Sequence, residues 1–118
     1  TMLYIIVCFG GDCVTNDTQL LKGLLEGCIL KILSRQESYG YQIVELLLSA
    51  GIETNEATVY PILARLQKQN ALRVVKRPSS LGPDRKYYFL TEAGEAALTD
   101  FYATWTQISA AVGGILED

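Results

Sequence analysis

Histidine is absent from this chain, and cysteine occurs only three times in 118 residues. The lack of histidine removes the commonest general base and the commonest ligand of transition metals. Cys8, Cys13 and Cys28 are odd in number and irregular in spacing, which is not the pattern of a disulfide framework. These absences argue against most hydrolases and metalloenzymes and favour a reducing, cytoplasmic setting. We therefore expect no catalytic residues, no metal site and no cofactor.

A long apolar segment is also missing. The longest such run, residues 3–9, is too short to span a bilayer, and it lacks the basic flank and the small-residue cleavage site of a signal peptide. We expect no membrane partner. Residues 1–16 form an N-terminal extension of uncertain role: an added strand, a segment that covers a neighbouring subunit, or an upstream piece outside the domain.

Basic residues are few, but they are strongly clustered. Seven of the ten lie between Arg65 and Lys86, next to a single acid, Asp84. This window carries a net charge of +6, while the rest of the chain carries −9. Because phosphate contacts supply most non-specific affinity for nucleic acids, a local cluster matters more than the charge of the whole chain. The cluster favours a nucleic-acid surface, and a solvated charged hairpin is the plainer interpretation.

The composition indicates one small domain with an excess of apolar residues. A chain of this length usually builds a single core, and 49% of its residues are hydrophobic while 19% are charged. An apolar excess in so small a domain suggests that part of its surface is covered in an oligomer. We expect a homodimer.

Hydrophobic periodicity predicts three helices before the hairpin. The first is capped at Asp17–Thr18 and runs to Arg35, with apolar residues over a wide arc that indicates burial on two sides. The second ends at Gly51, where glycine suits a left-handed cap. The partner-facing residues expected on the first helix are Leu21, Leu24, Leu25 and Cys28.

The third helix is capped by Asn55 and carries two different faces. Val59, Ile62, Leu63 and Leu66 share one arc and form the predicted core side. The opposite face is centred on small residues, with hydrogen-bonding groups at its margins, which suits close approach to a groove. Pro61 lies far past the cap, so we expect a kink or a late, irregular start.

An alternating pattern follows, and it predicts a β-hairpin. Residues 72–77 and 85–90 alternate as strands, with residues 78–84 as the loop. Three helices followed by such a ribbon describe a winged helix-turn-helix, in which the last helix enters the major groove. The expected fold is therefore mainly α with a small β-hairpin, comprising a winged helix at residues 17–90 and a long C-terminal dimerisation helix at residues 91–118.

That final helix, capped by Thr91, has a long apolar stripe. The stripe carries more apolar residues than a small domain requires for its core, which favours pairing with the first helix of a second chain. The alternative is that the helix packs back on the core of its own chain. The interface residues expected here are Leu98, Tyr102 and Val112. A lone tryptophan on such a face, Trp105, would present two symmetry-related indoles that suit a planar compound, although aromatic residues in a stripe more often serve packing.

Three motifs in the right order resemble the PadR family of bacterial transcriptional regulators, particularly its short members with one C-terminal helix. The resemblance covers about residues 20–112 and rests on Ser38-Tyr39-Gly40-Tyr41-Gln42-Ile43, on residues 55–66 of the third helix, and on residues 82–94 with Gly-Pro-Asp-Arg-Lys-Tyr-Tyr and Leu-Thr-Glu-Ala-Gly. It implies a cytoplasmic homodimeric repressor that binds a palindromic promoter and is released by a small molecule near the dimer axis. Relatives include sensors that stack flat aromatic cations between tryptophans, so the resemblance implies an effector site at Trp105, Phe101 and Ile108.

The predicted contacts to double-stranded DNA lie on the third helix, the wing and the start of the second helix. Arginine can read guanine with two hydrogen bonds, whereas lysine is better suited to a phosphate. A rival hypothesis is a winged-helix protein-interaction module whose ribbon meets an acidic protein surface. The predicted DNA-binding residues are Tyr39, Asn55, Thr58, Tyr60, Arg65, Lys68, Arg77, Arg85 and Lys86.

Overall fold

The computed structural model describes residues 14–15 and 19–117, with side chains from residue 19 onward. Within these residues the helices are α1 (Gln19–Arg35), α2 (Gly40–Ser49), α3 (Glu56–Lys68) and α4 (Glu92–Leu116). The strands are β1 (Val14–Thr15), β2 (Ser38–Tyr39), β3 (Ile52–Glu53), β4 (Leu72–Ser79) and β5 (Gly82–Leu90). The predicted class, mainly helical with a small antiparallel hairpin, is confirmed. Cys8, Cys13, the apolar run at residues 3–9 and the predicted cap at Asp17–Thr18 lie outside the described residues.

The core lies where α1, α2 and α3 meet the sheet. α1 and α3 each bury an apolar face, and the four residues predicted for the core side of α3 are all buried. Tyr88 of β5 closes the core from the sheet side. The residues with no exposed surface are Leu25, Ile29, Ile43, Val59 and Leu63.

The structure corrects two predictions for the dimer interface. Leu25 has 0% of its surface exposed and Leu21 only 5%, because both point into the core of the single chain. They have almost no surface left for a partner. Leu24, Cys28 and Leu98 are half-buried at the edge of the core and keep part of their surface free.

Side-chain caps fix the starts of α3 and α4, as predicted. The Asn55 Oδ1 atom accepts a hydrogen bond from the Thr58 backbone N–H at 3.0 Å. The Thr91 Oγ1 atom accepts one from the Gly94 N–H at 3.0 Å. α3 begins directly after its cap and continues through Pro61, so the expected late start is wrong. Capping satisfies one of the first-turn donors and stabilises the helix from its first residue.

Left-handed residues end α2 and α3. Gly51 has φ of 93°, which confirms the predicted glycine cap, and Asn70 has φ of 65°. Asparagine tolerates this region better than most residues because its short polar side chain can hydrogen-bond locally. The Ala71 N–H then donates to the Leu66 carbonyl at 2.9 Å, which turns the chain into β4.

The hairpin is longer than predicted and belongs to a three-stranded sheet of order β2-β5-β4. Its strands continue to Ser79 and from Gly82, so the connecting turn is only residues 80–81. β4 is an edge strand, and the ladder is irregular between Arg77 and Ser79, where Pro78 falls. An edge strand with a bulge tolerates a proline that cannot donate to the ladder.

Three two-residue strands were not predicted. β2 pairs with β5 in antiparallel register, Ser38 opposite Tyr88, and β3 pairs in parallel with β1, Ile52 opposite Val14. The β2 pairing holds the start of α2 against the base of the hairpin.

α4 packs only its first turns against the rest of the described chain. Gly94 lies so close to the Ala71 carbonyl and the Leu90 side chain that a Cβ would overlap both, and Gly27 of α1 lies directly under the Phe101 ring. Beyond this crossing the helix is largely exposed. It has 25 residues, roughly 37 Å of rise, and contributes to a longest dimension of 54 Å. No helix in the described part of the chain is both long and apolar enough to cross a bilayer.

Candidate nucleic-acid interface

The outer face of α3 is open and made of small residues. Ala57, Pro61, Ala64 and Lys68 are all exposed, opposite the buried face of the helix. Before Lys68, at the C-terminal end of this face, no large side chain lies along its centre, so the backbone of α3 can approach a partner surface closely there. The two margins of this face make different contacts. Tyr60 packs against α2 on one side, and Arg65 contacts α1 on the other.

Tyr60 is packed against the start of α2. A Cβ at Gly40 would overlap its ring, so the Tyr60 side chain would have to move to accommodate any other residue there. The Tyr60 hydroxyl donates to the Glu56 Oε2 atom at 3.3 Å. Partial burial, reinforced by the Glu56 charge, raises the pKa of Tyr60, which keeps the phenol protonated as a donor at neutral pH.

Arg65 is tied to α1 by an ion pair. Its Nη2 and Nε atoms lie 2.9 and 3.2 Å from the Glu26 Oε2 atom. The arginine side chain is 52% exposed and the glutamate 35%. Its guanidinium is therefore on the surface, but in contact with an acid rather than directed freely outward.

On the wing, arginines lie over aromatic rings. The Arg73 guanidinium carbon is 5.2 Å from the Phe89 ring centre, that of Arg77 is 4.9 Å from the Tyr87 ring, and that of Arg85 is 4.4 Å from the Tyr39 ring. Cation–π contacts of this kind stiffen the ribbon and fix the direction of each guanidinium. The Tyr39 and Tyr87 rings also pack edge to face, with centroids 5.4 Å apart.

Arg77 has an acidic partner as well. Its Nη1 atom donates to the Glu37 Oε1 atom at 2.9 Å, and its Nη2 atom forms an ion pair with Oε2 at 2.7 Å. The hydrogen bond with Glu37 is the main cause that raises the pKa of Arg77. Among the described residues, the cations without an acidic partner in this region are Arg73, Lys76, Arg85, Lys86 and Lys68.

A shallow cavity of about 410 Å³ lies between the start of α2, α3 and the wing. It brings four of the predicted DNA-binding residues together, Tyr39 and Tyr60 from one side and Arg85 and Lys86 from the other. Gly40, Tyr41 and Asp84 complete its lining and were not predicted. The β2–β5 pairing creates this proximity, and a two-residue strand gives no periodic signal in the sequence.

Asn55 and Thr58, also predicted for DNA contacts, lie at the start of α3. The Asn55 carboxamide oxygen is engaged in the cap, and Thr58 is half-buried. Asn55 therefore has a structural role whether or not it also meets a ligand.

The predicted effector residues lie along α4. Trp105 is 42% exposed and Ile108 52%, on the part of the helix beyond α1. Phe101 packs on Gly27 and is committed to the crossing of α1 and α4. Its ring and that of Tyr102 also line an open groove of about 960 Å³ between α1, the end of α2 and α4.

A metal-binding group is not assembled in the described part of the chain. No three of its Cys, Asp and Glu side chains form a group that could hold a metal ion. Cys28 is the described cysteine, and burial raises the pKa of its thiol, which is unfavourable for a nucleophile.

Comparison with known proteins supports the resemblance seen in the motifs. The family described as "Transcriptional regulator PadR-like family" matches residues 29–100. A transcriptional regulator from Streptococcus is 46% identical, over 83% of this chain and 97% of that chain, with a TM-score of 0.75. A PadR-like transcriptional regulator from Bacillus cereus is 40% identical, over 86% and 99% of the two chains, with a TM-score of 0.76.

A more distant structure shares the fold. PadR from Bacillus subtilis, solved in complex with operator DNA, is 24% identical over 67% of this chain and 46% of that chain, with a TM-score of 0.62. The matched family and the closer neighbours are described as transcriptional regulators, not as enzymes. The family match extends over more than half of the sequence and includes α2, α3 and the whole wing. The chain therefore belongs to the PadR-like family of transcriptional regulators.

Proposed function

We propose that this protein binds duplex DNA as a homodimer and represses transcription from a palindromic site. The observation that carries the proposal is the open face of α3 beside a wing rich in unpaired cations. The small residues of that face would meet the floor of a major groove. Lys68 at the end of the helix, with Arg85 and Lys86 on the wing, would meet the phosphates on either side.

Tyr39 and Tyr60 are assigned to the DNA backbone together with the wing cations. Their rings frame the cavity that Arg85 and Lys86 close, and the Tyr39 hydroxyl would donate a hydrogen bond to a phosphate oxygen. The Tyr60 hydroxyl has a single hydrogen, which it donates to Glu56, so it would reach a phosphate only by releasing that carboxylate. The Arg85 guanidinium is held over the Tyr39 ring, so little side-chain entropy is lost when it meets a phosphate.

Dimerisation is assigned to the exposed stripe of α4. Tyr102 is 68% exposed, and the stripe continues through Trp105, Ile108, Val112 and Ile115. So much apolar surface along one helix is unfavourable in water and indicates a protein partner. A second copy is the simplest partner, because a two-fold axis lets the same stripe serve both chains.

Release by an effector is assigned to the same interface. In a dimer closed by α4, the two Trp105 side chains would lie near the axis and could stack on a planar aromatic compound. Two α3 helices must stand about 34 Å apart to enter successive major grooves. A compound that changes the angle between the two α4 helices would alter this spacing and weaken DNA binding.

The comparisons support the DNA-binding proposal at two levels. The family consists of transcriptional regulators, and the Bacillus subtilis neighbour was solved with operator DNA on the same fold. The local charge pattern supports it independently, since the segment with most of the basic residues, Arg65 to Lys86, contains the C-terminal end of α3, all of β4 and the first half of β5.

The test is selection of tight-binding duplexes from a random pool, followed by affinity measurements over a range of salt concentrations. We expect a palindromic consensus, two chains per duplex, and a linear fall of log affinity with log salt. Heparin should compete less well than the selected duplex. Equal binding to heparin and duplex, with no consensus, would instead indicate a protein-interaction module with an acidic partner.

A further inference from the structure

We infer that Glu26 and Glu37 act as internal counter-charges that limit sequence-independent binding to DNA. The inference rests on the proposed function. Each carboxylate occupies the guanidinium of one arginine, Arg65 on α3 or Arg77 on the wing, that would otherwise be available to a phosphate. Neither glutamate lies on the exposed face of α3 or on the wing hairpin.

The two pairs join distant parts of the chain. Glu26 precedes Arg65 by 39 residues, and Glu37 precedes Arg77 by 40, so each contact depends on the fold and not on neighbouring positions in a helix. Glu26 is on α1 and Glu37 lies between α1 and β2. Both acids therefore lie outside α3 and the wing, on the part of the chain that packs against them.

In both pairs, the carboxylate occupies the arginine N–H groups that a phosphate would use. Arg77 presents both terminal nitrogens to the two oxygens of Glu37, and it also lies 4.9 Å from the Tyr87 ring centre. Arg65 directs Nε and Nη2 to a single oxygen of Glu26. Phosphate must displace the carboxylate from these nitrogens before it can accept hydrogen bonds from them.

Both pairs are also exposed enough to exchange. The arginine side chains are 52% and 42% exposed, and the glutamates 35% and 36%. An exposed ion pair is weak, so a correctly placed phosphate can break it, but the pair still lowers affinity by up to about fivefold. The remaining cations, Lys68, Arg73, Lys76, Arg85 and Lys86, have no such competitor among the described residues and supply the basal attraction.

The test uses Glu26→Gln and Glu37→Gln with Glu45→Gln as the matched control. Glu45 lies on the exposed side of α2, and its side chain makes no ion pair with the described residues. All three variants lose one negative charge, so the change in the net charge of the protein is the same for each. The measurement is binding to a random-sequence duplex over a salt series.

We expect Glu26→Gln and Glu37→Gln each to bind up to about fivefold more tightly than Glu45→Gln. Each freed arginine adds one phosphate contact, so the slope of log affinity against log salt should steepen by about 0.9. Arg65→Ala should cost more affinity in the Glu26→Gln background than in the wild type, because only there is the arginine free to engage DNA.

Identical affinities and slopes for Glu26→Gln, Glu37→Gln and Glu45→Gln would overturn the inference while leaving DNA binding intact. Weaker binding by the first two variants would overturn it as well, because the acids would then hold the arginines in the productive position. Absence of duplex binding by the wild type would refute the proposed function itself, and this inference with it.

Discussion

Replacing Gly27 by Ala should have two opposing effects on stability. Alanine favours the helix, but its Cβ would overlap a neighbouring side chain. Alanine in the interior of an exposed helix is favoured over glycine by about 1 kcal/mol. At Gly27, however, the new Cβ would overlap three carbons of the Phe101 ring. The ring or the helix must move, and overpacking of this kind costs about 1–3 kcal/mol.

Gly23, one turn earlier in α1, provides the matched control. A Cβ at this position meets nothing within 4 Å among residues 19–117. Gly23→Ala should therefore raise the free energy of unfolding by about 1 kcal/mol. The free energy of unfolding of Gly27→Ala should be about 1–3 kcal/mol lower than that of Gly23→Ala. This difference should disappear when Phe101 is also replaced by Ala.

The assay is urea unfolding followed by circular dichroism, at one fixed protein concentration because dimerisation would contribute to stability. The five chains needed are the wild type, the two glycine variants, Phe101→Ala and the double variant with Gly27→Ala and Phe101→Ala. If Gly27→Ala and Gly23→Ala agree within about 0.5 kcal/mol, the close crossing of α1 and α4 at Phe101 is wrong.

Three further predictions test separate parts of the structure. Asn55→Ala should lower the free energy of unfolding by about 1 kcal/mol, because the first turn of α3 loses its cap, whereas Asn55→Asp should retain most of it. Trp105→Leu should keep the chain dimeric but weaken binding of ethidium, measured without DNA by fluorescence, at least about tenfold, since two stacked indoles are lost. Stability should fall as pH rises above about 9, because burial raises the pKa of Cys28 and Tyr88 in the folded state and the unfolded chain releases these protons first. A thermal-unfolding series from neutral to alkaline pH measures this, and Cys28→Ala should reduce the loss.

The helices and the wing could be predicted from the sequence because each has its own periodic pattern. α3 illustrates this: apolar residues recur at helical spacing, a capping asparagine precedes them, and both features act within the segment itself. The same holds for α4, whose threonine cap and apolar stripe are local. The sequence also separated the buried face of α3 from its open face.

The short strands could not be predicted, because their partners are far away in the chain. Ser38 lies opposite Tyr88, and no pattern in a two-residue segment indicates such a pairing. The hairpin loop was predicted too long because Pro78 and Pro83 normally interrupt strands. An edge strand with an irregular register accommodates Pro78 here.

The least predictable part of the site was the pairing of its charges. Arg65 and Arg77 were predicted to contact DNA on the basis of their place in the basic segment. Their partners, Glu26 and Glu37, lie 39 and 40 residues earlier and are brought near only by the fold. Leu21 and Leu25 were misplaced for a related reason, since a wide apolar arc does not reveal which part faces the core and which part faces a partner.

The central claim is that two copies hold their α3 helices at the spacing of successive major grooves. Hydroxyl-radical footprinting of a selected duplex measures this directly. We expect two protected segments whose centres are about 10 base pairs apart, related by the two-fold symmetry of the site. A single protected segment, or uniform protection along the duplex, would contradict the account.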